Sequence, residues 1–215
     1  MKKTIAILAL IALLIVPAFA RTRQRDNILS LTAGPEWQMT TTTDDQGNTV
    51  IKDGKRFGIG VDAFGAFYFT AKLPVALTAA VNFSFPVKYT TSSGEQDISD
   101  NPTIATFKAG ALYAYDASRD ITLYAGLDLG FSVQKWTAEI PGVTTKTTIT
   151  KLSLGLNAKS EYHLENNLSL IAGMVFTLPL SYTTRVSVGN ASATTDAYKI
   201  KGFEITVPMG ASIAY

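Results

Sequence analysis

The chain has 215 residues, with 19 basic and 17 acidic side chains, one histidine and no cysteine. The absence of cysteine excludes a disulfide framework and a thiolate metal site, and the near-balance of charge argues against a nucleic-acid partner. Hydrophobic residues make up 47% of the chain, yet beyond its first turns no apolar run reaches the roughly 20 residues that a spanning helix needs.

Lys2 and Lys3 precede an apolar run over residues 5–16, and Pro17-Ala18-Phe19-Ala20 has the small-x-small pattern of a cleavage site. Residues 1–20 therefore read as a secretory signal peptide, leaving 21–215 as one domain. Its removal takes two of the 19 basic residues and brings the basic count level with the 17 acids.

From Asn27 onward there is no helical periodicity. Apolar and small or polar residues alternate instead, in segments of about ten residues, as the two faces of a membrane-spanning strand require. In the first segment Leu29, Leu31, Ala33, Pro35, Trp37 and Met39 oppose Ser30, Thr32, Gly34, Glu36 and Gln38. A polar stretch, 40–56, follows. The second sets Phe57, Ile59, Val61, Ala63, Phe67 and Phe69 against Gly58, Gly60, Asp62, Phe64, Ala66 and Tyr68, then turns briefly at 71–74. The third opposes Val75, Leu77, Ala79, Val81, Phe83, Phe85, Val87 and Tyr89 to Ala76, Thr78, Ala80, Asn82, Ser84 and Lys88.

After the polar stretch 90–103, the fourth segment carries Ala105, Phe107, Ala109, Ala111, Tyr113 and Tyr115 opposite Thr106, Lys108, Gly110 and Leu112, with a short turn at 116–120. The fifth sets Leu123, Leu127, Leu129 and Phe131 against Tyr124, Asp128 and Ser132, and 135–148 reads as a third long loop turning at Pro141-Gly142. The sixth has Leu152, Leu154, Leu156 and Tyr162 opposite Lys151, Ser153, Asn157, Lys159 and Glu161. The seventh has Leu168, Leu170, Met174, Phe176, Leu178, Leu180 and Tyr182 opposite Ile171 and Val175. A fourth long loop, 183–198, leads to the closing strand, where Phe203, Ile205, Val207, Met209, Ile213 and Tyr215 oppose Glu204, Thr206, Pro208 and Ser212.

Eight such strands with interleaved short and long connections make an all-β, eight-stranded antiparallel up-and-down transmembrane barrel, its termini and short turns on the periplasmic side. Strands cross lipid only when closed into a ring, because unpaired backbone polar groups are costly there. An exported soluble barrel would place its apolar face inside. Here the opposite face carries Glu36, Asp62, Lys88, Lys108, Asp128, Lys151, Lys159, Glu161 and Glu204, so the apolar face must be outside. The charges read as an ion-paired plug in a lumen only wide enough for side chains. Glu36 and Glu204, on neighbouring strands, are expected to share Lys108 or Lys88.

No enzyme, cofactor or metal site is expected. Gly58-Ile-Gly-Val-Asp-Ala63 loosely matches a dinucleotide pattern but lies within a strand, and the one histidine, His163, falls at a periplasmic turn. Two features point to function. The inward Phe64, Tyr68, Leu112, Tyr124, Ile171 and Val175 are candidate lining for an apolar ligand. Pro35, Pro179 and Pro208 fall on the first, seventh and eighth strands, where a missing N–H weakens the ladder, and they are a candidate lateral opening. Trp37, Tyr89, Phe131 and Tyr182 towards the loops, with Tyr113, Tyr115, Tyr162 and Tyr215 towards the turns, read as interfacial girdles.

With its Ala18-Phe19-Ala20 site, eight alternating segments and terminal Ile213-Ala214-Tyr215, the chain resembles the small eight-stranded outer-membrane proteins of the OmpX, OmpW and OmpA-barrel group. The resemblance implies an outer-membrane location in a diderm bacterium, contact with membrane lipid, and Tyr215 as the aromatic signal read by the barrel-assembly machinery. It also implies one of two roles. The first is OmpW-like passage or binding of small hydrophobic molecules; the alternative is OmpX-like adhesion to a host surface protein through protruding loops.

Overall fold

In the computed structural model the described residues are 26–43, 49–69, 73–91, 94–96, 104–140, 143–164, 167–188, 191–195 and 199–215. The expected signal peptide lies outside them. Eleven strands form one antiparallel sheet: β1 (Ile28–Thr43), β2 (Thr49–Tyr68), β3 (Val75–Thr91), β4 (Gly94–Gln96), β5 (Ile104–Asp116), β6 (Ile121–Ile140), β7 (Val143–His163), β8 (Leu168–Val188), β9 (Ala191–Thr195), β10 (Lys199–Thr206) and β11 (Met209–Ala214).

The sheet closes on itself. β1 pairs with β2 on one side and with β10 and β11 on the other, and β8 pairs with β10 and β11 in turn. β10 and β11 are one barrel strand, because Glu36 opposite Thr206 and Ala33 opposite Met209 belong to a single register. The ring therefore has eight strands, with β4 and β9 added to the outer ends of β3 and β8.

The period-two pattern sorts the faces as expected. Leu29, Leu31, Leu127, Leu129, Leu170 and Ile213 are exposed on the outside, while Ser30, Thr32, Glu36, Asp62, Asp128 and Glu161 are buried within. An apolar surface of this extent would drive aggregation in water and is what a barrel presents to lipid. The periplasmic end is tied together by short turns, with the Tyr215 N–H donating to the Asn27 carbonyl at 3.0 Å.

Two expectations need correction. β6, β7 and β8 have 20, 21 and 21 residues, whereas about 9–11 tilted residues cross a bilayer. The described parts of three stretches expected as loops are largely continued strand: in 40–56 β1 runs to Thr43 and β2 starts at Thr49, in 135–148 β6 and β7 stay paired up to Ile140 opposite Val143, and in 183–198 β8 runs on to Val188. The second concerns alternation after prolines. Gly58 pairs with Pro86 but Phe57 with Lys88, and Ser153 pairs with Pro179 but Leu152 with Ser181. Val87 and Leu180 are thus extra residues, in bulges that follow a residue unable to donate to the ladder. Each bulge reverses the facing beyond it. Lys88 is exposed on the outside; Tyr89, opposite Arg56, and Tyr182, opposite Lys151, turn inward rather than joining the outer girdle.

Candidate functional site

The lumen is filled in three tiers, each set by inward positions on facing strands. At the periplasmic end Glu161 accepts from the hydroxyls of Tyr124 and Ser212. Beside it His163 lies between Thr122 Oγ1, 2.8 Å from Nε2, and Ser169 Oγ, 3.0 Å from Nδ1, while Thr122 donates to Asp116 at 3.1 Å. Two hydroxyls flank the imidazole, and Asp116 meets Thr122 rather than the ring. These groups surround an open mouth of about 240 Å3 whose wall includes Ile28, Tyr68, Tyr124 and Asn167.

Above this mouth Phe64, Leu112 and Tyr124 pack with Ile28, Ala66, Ala76 and Ala114, and Tyr68 leans on the cluster. Four of the six sequence-predicted apolar lining residues are thus brought together. Ile171 and Val175 are also inward and buried, on β8, with Val175 facing Phe64 across a void of only about 10 Å3. They fill the periplasmic half as a packed core.

The middle tier is ionic. Lys108 Nζ lies 3.5 Å from Asp62 Oδ1, Asn157 donates to Asp128, and Lys159 Nζ sits 3.6 Å above the Phe64 ring, a cation–π contact that partly offsets desolvation of the ammonium. The outer tier joins Glu36, Arg56, Glu204 and Lys151. Arg56 Nη2 reaches Glu36 Oε1 at 2.7 Å and Glu204 Oε2 at 3.7 Å, Lys151 donates to Glu204 at 3.1 Å, and Ser84 donates to Glu36 at 2.9 Å. The shared partner of Glu36 and Glu204 is therefore Arg56, correcting Lys108 or Lys88. Lys108 is engaged with Asp62, and Lys88 faces out. Sequence reading left Arg56 in a polar stretch, although its parity with Gly58, Gly60 and Asp62 marks it as inward.

Pro35 and Pro208 lie about one rung apart on neighbouring strands, and Pro179 lies on β8. β1 and β10–β11 keep one register through Pro35 and Pro208, with Val207 N–H donating to Pro35 O at 3.0 Å and Gly173 N–H to Pro208 O at 2.9 Å. Each proline forfeits one ladder donor, Pro35 towards β10–β11 and Pro208 towards β8. Among the described residues the backbone pairing of β8 with β10 runs from Val175 to Thr177, and beyond that rung β8 is paired with β7 and β9 and β10 with β1. Pro179 and Gly202 stand on either side of this break in the ladder.

Residues 6–210 match the family model described as outer membrane protein beta-barrel domain. The chain belongs to that family. Its location is accordingly the outer membrane. Among solved structures, a major outer membrane protein of Thermus thermophilus is similar at 14% identity and TM-score 0.52, covering 84% of this chain and 99% of that one. The outer membrane protein OprG of Pseudomonas aeruginosa is similar at 10% identity and TM-score 0.50, covering 90% and 98%. Neisserial surface protein A gives 14% identity and TM-score 0.47 over 86% and 97%. At these identities the likeness is one of fold. Comparison with curated proteins by sequence gives no match.

For a barrel of this family the plug is a packing problem, and it yields a test. A Cβ at Gly155 would lie 2.2 Å from Asp128 Oδ1 and 2.8 Å from its Cγ. Gly155→Ala is expected to displace Asp128 and its Asn157 donor and to cost about 1–3 kcal/mol, as overpacking does. The readout is the urea midpoint of the refolded barrel; an unchanged midpoint would mean that the middle tier is loose.

Proposed function

We propose that this barrel works outward rather than as a pore: its strands project beyond the membrane as a sheet that recognises an extended segment of an outside protein. The observation that carries this reading is the length of β6 and β7, which stay paired out to Ile140 opposite Val143, beyond the Ile104–Gln134 rung at which the described part of β5 begins. Strands that project past the membrane offer main-chain groups for strand addition, with main-chain bonds supplying affinity. The filled middle tier supports the same reading, since a void of about 10 Å3 is roughly the space of one water. Tyr215, exposed at the periplasmic rim, is the residue we propose that the assembly machinery reads.

A second reading is favoured by a specific feature, the break in the ladder between β8 and β10 beyond Thr177. In it a small hydrophobic molecule passes sideways between the outer end of the lumen and the membrane, and Phe64, Tyr68, Leu112, Tyr124, Ile171 and Val175 take it up once the plug rearranges. One pair of measurements separates the two. Shortening the β6–β7 hairpin by removing 137–146 is expected to abolish binding of barrel-displaying cells to immobilised extracellular-matrix proteins. Uptake of a hydrophobic probe by liposomes should match that of empty liposomes. Uptake accelerated by the barrel, with cell binding indifferent to the truncation, would reverse the order of the readings.

A further inference from the structure

We propose that the outer surface of the barrel across β2, β1 and β10 is a binding site for the phosphate of a membrane lipid. A cleft of about 370 Å3 lies there, lined by Met39, Thr41, Lys55, Lys201, Gly202 and Phe203. The register explains its chemistry. Met39 stands between Lys55 and Phe203 on one rung, and Thr41 stands beside Lys201 two rungs further out, on the same face. Neighbouring strands are about 4.8 Å apart, so the two lysines flank β1 closely enough to converge on one anion. Both are exposed, and among the described residues neither is in an ion pair.

The level of the cleft selects the ligand. Immediately below it Trp37 and Phe57 pack with ring centroids 5.6 Å apart, and at the level of the cleft itself Phe203 stacks on Phe176 at 5.5 Å. Outward aromatic rings of this kind sit at the height of lipid headgroups. An ammonium pair two to four rungs above the Trp37–Phe57 rung, with Met39 and Phe203 as an apolar floor, matches a headgroup phosphate whose acyl chains run down the barrel wall. Lysine binds phosphate as a point charge. A soluble anion would gain nothing from that floor.

Gly202 makes the cleft possible. Its φ is +153°, and a Cβ there would lie 1.9 Å from the Met39 carbonyl oxygen, so glycine is what lets β10 press this closely against β1.

The test uses the refolded full-length barrel in detergent micelles, with bound lipid counted by native mass spectrometry. Phosphatidic acid should be retained, and diacylglycerol of the same chain length should not. Lys55→Gln/Lys201→Gln should weaken phosphatidic acid binding about tenfold or more, as loss of charge-assisted bonds predicts, while Lys55→Arg/Lys201→Arg should retain it. A heat-modifiable folded band for both variants shows that the barrel itself is unaltered. Equal retention of phosphatidic acid and diacylglycerol would overturn the proposal, as would undiminished binding by the glutamine variant. So would displacement of the lipid by an equimolar amount of inorganic phosphate, which would assign the lysines to a soluble anion.

Discussion

Replacing Arg56 with methionine is expected to destabilise the barrel by about 3–5 kcal/mol, the usual loss when one partner of a buried ion pair is removed. Methionine keeps most of the length of the side chain and none of its charge. Glu36, only 2% exposed, would retain the Ser84 hydroxyl as donor but lose its guanidinium. Glu204 would still hold Lys151. The asymmetry makes the prediction specific: Lys151→Met should cost less, because Glu204 keeps Arg56 within 3.7 Å. Glu36→Gln added to Arg56→Met should restore part of the loss, since a neutral amide no longer needs a counter-charge. Denaturant unfolding of the wild type, the two single variants at positions 36 and 56 and their combination closes a double-mutant cycle. A loss below about 1 kcal/mol for Arg56→Met, the range of exposed pairs, would show that water reaches this tier.

The outer tier also marks what could be read from the sequence. Facing is local information, because parity along a strand decides it, and so Glu36, Asp62, Asp128 and Glu161 were placed in the lumen from alternation. Parity fails where a bulge inserts one residue. Nothing in the hydrophobic pattern around Val87 or Leu180 signals the insertion, yet each follows a proline, and that was the available clue. Tyr89, Lys88 and Tyr182 were misassigned for this reason. The projecting strands were legible only in part, from the alternation kept over 147–151 and 184–188. Outside the membrane no apolar solvent selects for one oily face, so the threonine-rich 144–146 reads as loop even though its backbone is laddered. Contacts across the lumen were the least legible. They depend on the stagger of the closed ring, which no local pattern encodes, and this is why Arg56 escaped while the adjacency of Glu36 and Glu204 did not.

These placements bear on how the barrel divides its labour. Apolar packing fills the lumen above the polar periplasmic mouth, and ion pairs fill the middle and outer lumen. Glu36, Asp62 and Asp128 are engaged in polar contacts there, so each charge serves closure before it can serve passage. Three features lie outside this plug: the projecting β6–β7 hairpin, the break in the β8–β10 ladder beyond Thr177, and the cleft beside Lys55.

Leu127→Arg is expected to cost about 2–4 kcal/mol, the penalty for a cation on the lipid face at the bilayer midplane. Leu127 is half exposed and lies mid-strand, between Ala111 on β5 and Leu156 on β7. An arginine there has a long way to reach either headgroup region. Ile121→Arg provides the matched comparison. It shares the outward parity and the strand, but it opens β6 beside the periplasmic turn, where the same change costs about 0–1 kcal/mol. The measurement is urea unfolding in phospholipid vesicles, followed by intrinsic tryptophan fluorescence. A general dislike of arginine on strands would lower both midpoints alike, whereas lipid contact lowers that of Leu127→Arg much further. Equal losses would remove the bilayer from this face, and with it the level assigned to Lys55 and Lys201, because the depth of Leu127 and the height of the aromatic rungs are measured on one barrel wall.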